Sequence, residues 1–350
     1  MSDANREPVL VDLALQGGGA HGAFTWGVLD RMIEVPWLKL DGISGTSAGA
    51  MNAVVMAQGM LEGKSVGTDR YSREGAKAAL ENFWRKVSEA ARLSPFQRGP
   101  FEILTGKWTL EYSPAFIASD IASRLFSPYD FALQGTNPLR AVLEDCVDFK
   151  HLSESPIKLF VTATNVRTGR GRVFRNNDLS VDAVLASACL PTLFQAVEID
   201  GDPYWDGGYA GNPTLTPLVR ECDSTDTILV QINPIERAGV PRTAAEIQNR
   251  LNEVSFNAPL MKELRMAALL RRCADPASSG EGATWARLRI HRISSAMMTE
   301  LSMSSKMLAE WSFLCMLRDE GRRAAETFLA EHGDDIGVRG TLDLDSLLEG

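Results

Sequence analysis

The first fifty residues pass twice from a short apolar run to a stretch with helical spacing. Residues 9–15 are almost entirely apolar, and three glycines follow at once. Residues 20–34 then place apolar side chains three and four positions apart, which is typical of an amphipathic helix. Residues 40–44 are predicted as a second strand, and residues 48–58 again have helical spacing. The pattern predicts two consecutive strand–turn–helix units of a parallel sheet.

The rest of the chain continues this alternation. Residues 244–272 have helical spacing, with a predicted kink or break at Pro259. Residues 62–77 are rich in glycine, serine and charge, and this composition favours an exposed loop. Further strands are predicted at residues 159–164, 196–199, 228–232 and 288–293.

These elements predict an α/β fold in one domain. The predicted domain spans residues 8–335, with the motif-bearing core at 9–235. Residues 236–335 are expected to be mostly helical and to complete the same fold, because a strand pattern recurs late in this part. Residues 1–7 and 336–350 are expected to be tails.

Composition narrows the class of protein. The 350 residues are 45% hydrophobic and carry a formal net charge of −9, which disfavours nucleic acid as a partner. The five cysteines are scattered and odd in number, so neither a metal site nor a complete disulfide framework is expected. No basic stretch with an apolar core begins the sequence, and we therefore expect a cytoplasmic location.

Two tight turns carry the candidate chemistry. Gly17, Gly18 and Gly19 follow the first predicted strand, and Gly45-Thr46-Ser47-Ala48-Gly49 follows the second. In a right-handed crossover the turns after two parallel strands become neighbours, so the glycine turn should lie beside Ser47. A serine on such a turn is a candidate nucleophile, and unobstructed glycine amides could bind an oxyanion.

The base that activates Ser47 is less clear from the residues alone. His291 follows Asp206 in the order required for a Ser–Asp–His triad, but it lies within a predicted strand, and His332 lies beside a helix end. The other candidate is the carboxylate of Asp206, which precedes Gly207 and Gly208. An Asp–Gly pair is also a common plain turn, the reading given to Asp200-Gly201.

The three motifs, in this order, resemble the patatin-like phospholipases, and so does the segment Ser187-Ala188-Cys189-Leu190-Pro191. The resemblance runs from about residue 9 to residue 208. It implies a three-layer α/β/α fold with a mainly parallel sheet and an enzyme that hydrolyses acyl esters of lipids without metal or cofactor. Carried over by position, it makes Ser47 the nucleophile, Asp206 the general base, Gly17 to Gly19 the oxyanion hole, and Gly22, Gly45, Gly49, Gly207 and Gly208 supporting residues.

One position departs from the family. Many relatives have Arg or Lys after the glycines, whereas this chain has His21, to which we assign a structural role. The expected partner is a lipid or another hydrophobic acyl ester, with transient contact to a membrane surface. The alternatives are an esterase for other hydrophobic acyl esters such as storage polyesters, and a non-catalytic lipid-binding adaptor of the same fold.

Overall fold

A computed structural model describes residues 6–62, 72–92, 94–130 and 137–348. Within these residues eight strands form one sheet. They are β1 (Val9–Leu15), β2 (Leu38–Gly45), β3 (Lys158–Asn165), β4 (Gly171–Arg175), β5 (Val197–Ile199), β6 (Asp202–Asp206), β7 (Asp226–Val230) and β8 (Arg289–Ile293).

Twelve α-helices connect and cover the strands in the described part of the chain. They are α1 (Gly22–Met32), α2 (Ala48–Glu62), α3 (Arg73–Ala91), α4 (Pro100–Leu104), α5 (Pro114–Leu125), α6 (Pro138–Cys146), α7 (Phe149–Leu152), α8 (Val181–Ser187), α9 (Thr216–Glu221), α10 (Ala244–Cys273), α11 (Glu281–Arg287) and α12 (Trp311–His332). Short 3₁₀ turns at Gly19–His21, Gly207–Tyr209 and Met303–Met307 lie between them.

The sheet has the order β5-β6-β3-β2-β1-β7-β8, and β4 also pairs with β3. Strands β3, β2, β1, β7 and β8 are parallel to their neighbours in this order, whereas β4, β5 and β6 form antiparallel pairs. The sheet is therefore mainly parallel, as the sequence predicts.

Both faces of the sheet are buried. In β1, Leu13 and Leu15 join a large core with α1, α2 and α12, while Ala14 between them joins a second core with α9 and α10. Successive strand residues point to opposite faces, so this alternation means that helices cover both sides. The predicted three-layer α/β/α architecture is confirmed.

Strand β3 brings β2 and β6 together. Gly45 at the end of β2 lies opposite Val161, and Asp206 at the end of β6 lies opposite Ala163, two positions further along β3. The other edge of β3 is occupied by β4, whose Arg172 also pairs with Ala163. The ends of β2 and β6 therefore meet on one edge of β3.

Helix α10 covers the helix predicted at residues 244–272, and it runs from Ala244 to Cys273 with Pro259 inside it, so the helix is not broken there. One local prediction is wrong. Residues 73–77, predicted as loop, belong to α3, which Ser72 caps by accepting a hydrogen bond from the amide of Gly75 at 2.9 Å. Residues 63–71 lie outside the described part of the chain.

The prediction that residues 336–350 form a tail is also wrong for the part that the structure describes. The amides of Thr341 and Leu342 donate to the carbonyl oxygen of Ile290 in β8, and the side chains of Ile336 and Leu344 are buried. Residues 336–348 thus cover the edge of the sheet. At the other terminus, residues 1–5 lie outside the described range.

Among the described helices, none has both the length and the hydropathy needed to cross a bilayer.

Candidate active site

Ser47 stands between the end of β2 and the start of α2. Its φ is +53°, a backbone conformation that residues other than glycine rarely adopt. Such strain persists only where surrounding contacts hold it, and it is concentrated at functional sites. Here the amide of Ser47 donates to the hydroxyl oxygen of Ser187 at 2.9 Å, and the amide of Met51 donates to the carbonyl oxygen of Ser47 at 3.0 Å.

The glycines around this turn are required by close packing. A Cβ atom on Gly49 would lie 2.2 Å from the carbonyl oxygen of Leu15, and one on Gly45 would lie 2.6 Å from the carbonyl carbon of Gly49. A Cβ atom on Gly22 would lie 2.6 Å from the Cβ of Ala48. Real Cβ contacts essentially never come so close, so the turn tolerates no side chain at these positions.

Asp206 ends β6 with its side chain almost fully buried, at 2% exposure. Its Oδ1 accepts a hydrogen bond from the amide of Gly208 at 2.7 Å. The Ser47 side chain faces the same carboxyl group and favours its ionised form. The following glycines are again sterically required: a Cβ atom would lie 1.9 Å from the carbonyl oxygen of Thr162 at Gly207 and 2.2 Å from the ring of Phe256 at Gly208.

Burial raises the pKa of Asp206 to about 7. The Gly208 amide, the Ser47 hydroxyl and the positive charge of Lys306 lower it, but they offset only part of the cost of desolvation. A carboxyl group with this pKa can gain and lose a proton near neutral pH, which a general base must do.

The glycine turn lies directly over the serine. A Cβ atom on Gly17 would lie 2.8 Å from the Cβ of Ser47. The amide of Gly17 donates to Oδ1 of Asn212 at 2.7 Å, so in this structure it already has an acceptor. No acceptor lies within hydrogen-bonding distance of the amides of Gly18 and Gly19 in the described part of the chain.

A cavity of about 370 Å³ opens beside these groups, within the range usual for ligand pockets. Ser47, Asp206 and the glycine turn are among the residues that line it. Most of the remaining wall is apolar and includes Met51, Trp84, Phe116, Leu190, Leu193 and Met307. The candidate catalytic groups therefore share one cavity with a wall suited to hydrocarbon.

All four histidines are described, and none lines this cavity. His291 is fully buried in β8, where its Nε2 lies 3.1 Å from Asp226. Two strands, β1 and β7, lie between β2 and β8 in the sheet. His332 contacts Asp335 at the end of α12. Neither histidine is placed to activate Ser47, so the triad alternative is excluded.

His21 supports the glycine turn from behind. Its Nε2 lies 2.7 Å from the Ser305 hydroxyl, and its ring meets Phe313 edge to face. Complete burial lowers the pKa of His21 well below its usual value, so the ring is neutral. It therefore does not replace the basic residue that many relatives carry here.

One cluster outside the cavity has the donor types of a metal site. Among the described residues, Asp12, Asp41 and Cys222 each offer a ligand atom within 4.8 Å of the others. Burial and the nearby Asp41 raise the pKa of Asp12 to about 8, and its Oδ1 already accepts the amide of Gly42 at 2.9 Å. Asp41 is paired with Lys158 at 3.1 Å. The cluster is thus satisfied within the protein.

A family model described as patatin-like phospholipase matches residues 13–219, more than half of the chain. The chain belongs to the patatin-like phospholipase family. Membership makes this patatin-like protein a lipid acyl hydrolase in the general sense, acting on ester bonds. The matched range includes the glycine turn, Ser47 and Asp206.

Two solved structures are similar to this patatin-like chain. VipD from Legionella pneumophila is 16% identical with a TM-score of 0.39, and the match covers 93% of this chain and 67% of VipD. A chain of the heterodimeric complex ExoU–SpcU, from the type III secretion system of Pseudomonas aeruginosa, is 19% identical with a TM-score of 0.29, covering 98% and 66% respectively. The chain thus spans about two thirds of the length of each. None of the curated proteins compared with it is a match.

The structure adds residues that the sequence analysis missed. Ser187 and Cys189 lie in a segment that the sequence analysis singled out without giving it a role, and they hold the backbone of Ser47 and Asp206. Asn233 and Lys306 line the cavity beside the glycine turn, although they follow Asp206 by many residues. No motif marks Lys306, because its position depends on how the C-terminal part folds back onto the glycine turn.

Proposed function

We propose that this protein is a serine lipid acyl hydrolase that uses a Ser47–Asp206 dyad and an oxyanion hole built from the glycine turn. The observation that carries the proposal is a serine at positive φ that lines the same apolar cavity as a buried carboxyl group, whose ionised form its side chain favours. A histidine-free dyad fits this end of the molecule because all four histidines lie outside the cavity.

The reaction follows from these groups. The ionised Asp206 accepts the proton of the Ser47 hydroxyl as Oγ attacks the ester carbonyl carbon. The electron pair of the carbonyl double bond moves to its oxygen, where the amides of Gly18 and Gly19 donate hydrogen bonds. The proton held by Asp206 then passes to the leaving alcohol, and an acyl-enzyme remains. Water, deprotonated by the same carboxylate, releases the fatty acid by the reverse sequence.

The substrate class follows from the cavity and the surface around it. The apolar wall suits the acyl chain of a lipid. Helix α5 contributes Phe116 to this wall, while Ile117, Ile121 and Leu125 on the same helix are exposed. Leu104 on the adjacent α4 is 87% exposed. We infer that this apolar surface touches the lipid aggregate that supplies the substrate, and the net charge of −9 favours a zwitterionic over an anionic lipid surface.

Hydrolysis of a medium-chain nitrophenyl ester and of a phosphatidylcholine tests the proposal. We expect Ser47→Ala and Asp206→Asn each to lower kcat by at least about 10³-fold on both substrates, because each removes a group that bonds to or takes a proton from the reacting atoms. Asp200→Asn is the matched control: it is the other Asp–Gly turn, its carboxylate is exposed, and it pairs with Arg172 at the surface. That variant should keep wild-type rates.

A fluorophosphonate probe separates the competing readings. Labelling of the wild type and not of Ser47→Ala supports an activated serine. A folded wild type that neither reacts with the probe nor hydrolyses either ester would contradict the proposal and favour a lipid-binding adaptor. Turnover of a polyester with no turnover of phosphatidylcholine would retain the dyad and replace the substrate.

A further inference from the structure

Lys306 places a positive charge in the catalytic cavity. It belongs to the 3₁₀ turn Met303–Met307 and lines the same cavity as Ser47 and Asp206. Its ammonium group donates a hydrogen bond to Oδ1 of Asn233 at 2.6 Å. In the described part of the chain no ion pair includes either Lys306 or Asp206. A cation in this position has donors left over for another acceptor.

The ammonium group is fixed to the glycine turn from two sides. Asn233, which accepts its hydrogen bond, itself donates through Nδ2 to the carbonyl oxygen of Gly17 at 2.8 Å. The main chain of Lys306 also packs on the turn, because a Cβ atom on Gly19 would lie 2.4 Å from its carbonyl oxygen. The adjacent Ser305 meets His21. Lys306 and the oxyanion amides therefore belong to one rigid unit.

Among the charged groups that face Lys306, Asp206 is the one that can balance its positive charge. Glu253 on α10 attracts it, but Glu253 is already paired with Arg237 at 2.6 Å and Arg250 at 3.2 Å, and Arg237 repels Lys306. His21, which also faces it, is neutral. Asp206 attracts Lys306 and takes part in no ion pair with any described residue.

This arrangement has a consequence for the reaction proposed above. Before attack, the negative charge is on Asp206. When Asp206 takes the Ser47 proton, Asp206 becomes neutral and the charge appears on the carbonyl oxygen of the substrate, so the total does not change. The positive charge of a buried ammonium group is therefore left without a nearby negative charge during this transfer, unless the ammonium group also lies near the new oxyanion.

We propose that Lys306 is a positioning residue that holds the negative charge of the reaction, first on Asp206 and then on the oxyanion at the glycine turn. The inference rests on the proposed dyad. It assigns to a lysine of the C-terminal part the cationic role that a neutral His21 does not fill. Because Lys306 acts on the reacting charge, its effect should be the same for neutral and phosphate-bearing esters.

The pH profile carries a signature of this role. Desolvation lowers the pKa of Lys306 to about 8. Asp206, whose pKa burial raises to about 7, also faces the Gly208 amide, the Ser47 hydroxyl, Tyr209 and Cys189. Activity should rise as Asp206 loses its proton through about pH 7 and fall as Lys306 loses its proton through about pH 8. This narrow bell is measurable on the wild type, without any variant.

The variants Lys306→Met and Lys306→Arg, with the exposed Lys262→Met as matched control, test the proposal on the nitrophenyl ester and on phosphatidylcholine. We expect Lys306→Met to lower kcat about 10- to 100-fold on both substrates, to move the acid limb to higher pH by about one pH unit, and to abolish the alkaline limb. Lys306→Arg should recover most of kcat and carry the alkaline limb to higher pH, because guanidinium stays charged.

Four results would overturn the inference. The first is a wild-type kcat and an unchanged pH profile in Lys306→Met. The second is an equal loss of kcat in Lys306→Met and Lys306→Arg with the acid and alkaline limbs of the pH profile both retained, as expected of a purely structural residue. A third is loss confined to phosphatidylcholine, which would make Lys306 a headgroup contact. A wild-type profile that stays flat beyond about pH 9 is the fourth. Persistence of full activity in Ser47→Ala would instead remove the dyad, so the two failures are distinguishable.

Discussion

The amide of Ser47 donates to the hydroxyl oxygen of Ser187, 2.9 Å away. Two residues later, the carbonyl oxygen of Cys189 accepts the amide of Asp206 at 2.8 Å. One short segment at the end of α8 therefore holds the backbone of both candidate catalytic residues. Their mutual distance is set by this segment and by the shared edge of β3, and not by the Asp–Gly–Gly turn alone.

Removing the first of these contacts should misplace the nucleophile. Ser187→Ala leaves the partly buried amide of Ser47 without its acceptor, which costs about 1–3 kcal/mol. We expect kcat on the nitrophenyl ester to fall about tenfold or more with little change in KM. Ser153→Ala, which removes a surface hydroxyl bonded to Lys150, is the control. Equal kcat in the two variants would show that Ser187 does not position Ser47.

Burial of Asp206 should make the protein less stable at alkaline pH. Its folded-state pKa, about 7, lies above the usual value of 3.8, so the fold favours the protonated form. The stability that this preference supplies is complete below about pH 4 and is lost as the pH rises through 7. Asp206→Asn stays neutral and keeps the oxygen that accepts the Gly208 amide.

We therefore expect Asp206→Asn to have a higher Tm than the wild type at about pH 8.5, and a clearly smaller advantage at about pH 5, where the wild type has lost only part of this stability. Thermal unfolding followed by circular dichroism at the two pH values measures the difference. Asp200→Asn should show no such dependence, because its carboxylate is exposed. An identical Tm difference at both pH values would mean that Asp206 is ionised throughout this range.

Gly19 should tolerate no side chain, for a reason separable from its backbone conformation. Its φ is +57°, and an added Cβ would lie 2.4 Å from the carbonyl oxygen of Lys306. Gly201 has φ +80° with nothing within 4 Å of its Cβ position, so Gly201→Ala measures the conformational cost alone. We expect Gly19→Ala to lower kcat about 10²-fold or more by displacing the oxyanion amides, and Gly201→Ala to leave it unchanged. Similar kcat values in Gly19→Ala and Gly201→Ala would show that the glycine turn has no part in catalysis.

The apolar surface on α4 and α5 should govern binding to lipid. Replacing Leu104 and Leu125, 87% and 70% exposed, by Asp is expected to weaken cosedimentation with phosphatidylcholine vesicles at least about tenfold. Hydrolysis of a monomeric nitrophenyl ester should not change, since neither residue lines the cavity. Val338→Asp, at a 73% exposed position in the C-terminal segment, is the control. Vesicle binding equal to wild type in the double variant would assign this surface another role.

Local pattern was sufficient for the strands and turns that carry the motifs. Strand β1 coincides with its prediction, and β2 extends the predicted run by only a few residues. The local pattern was not sufficient at Pro259. Helix α10 continues through this residue because tertiary packing of Leu260 and Leu264 outweighs the free-energy cost of a proline inside a helix. Nor did composition reveal that Ile336 and Leu344 are buried against the sheet edge.

By itself, the sequence determined that Ser47 lies on a strained turn and that the glycines around it have no side chains, because both depend on short-range spacing. Tertiary structure alone decided that the ends of β2 and β6 lie along one edge of β3, that the amide of Gly17 is used by Asn212, and that Lys306 lines the cavity. These three contacts join residues that are far apart in the chain. Burial and electrostatic balance at such contacts depend on the whole fold, and no local motif encodes them.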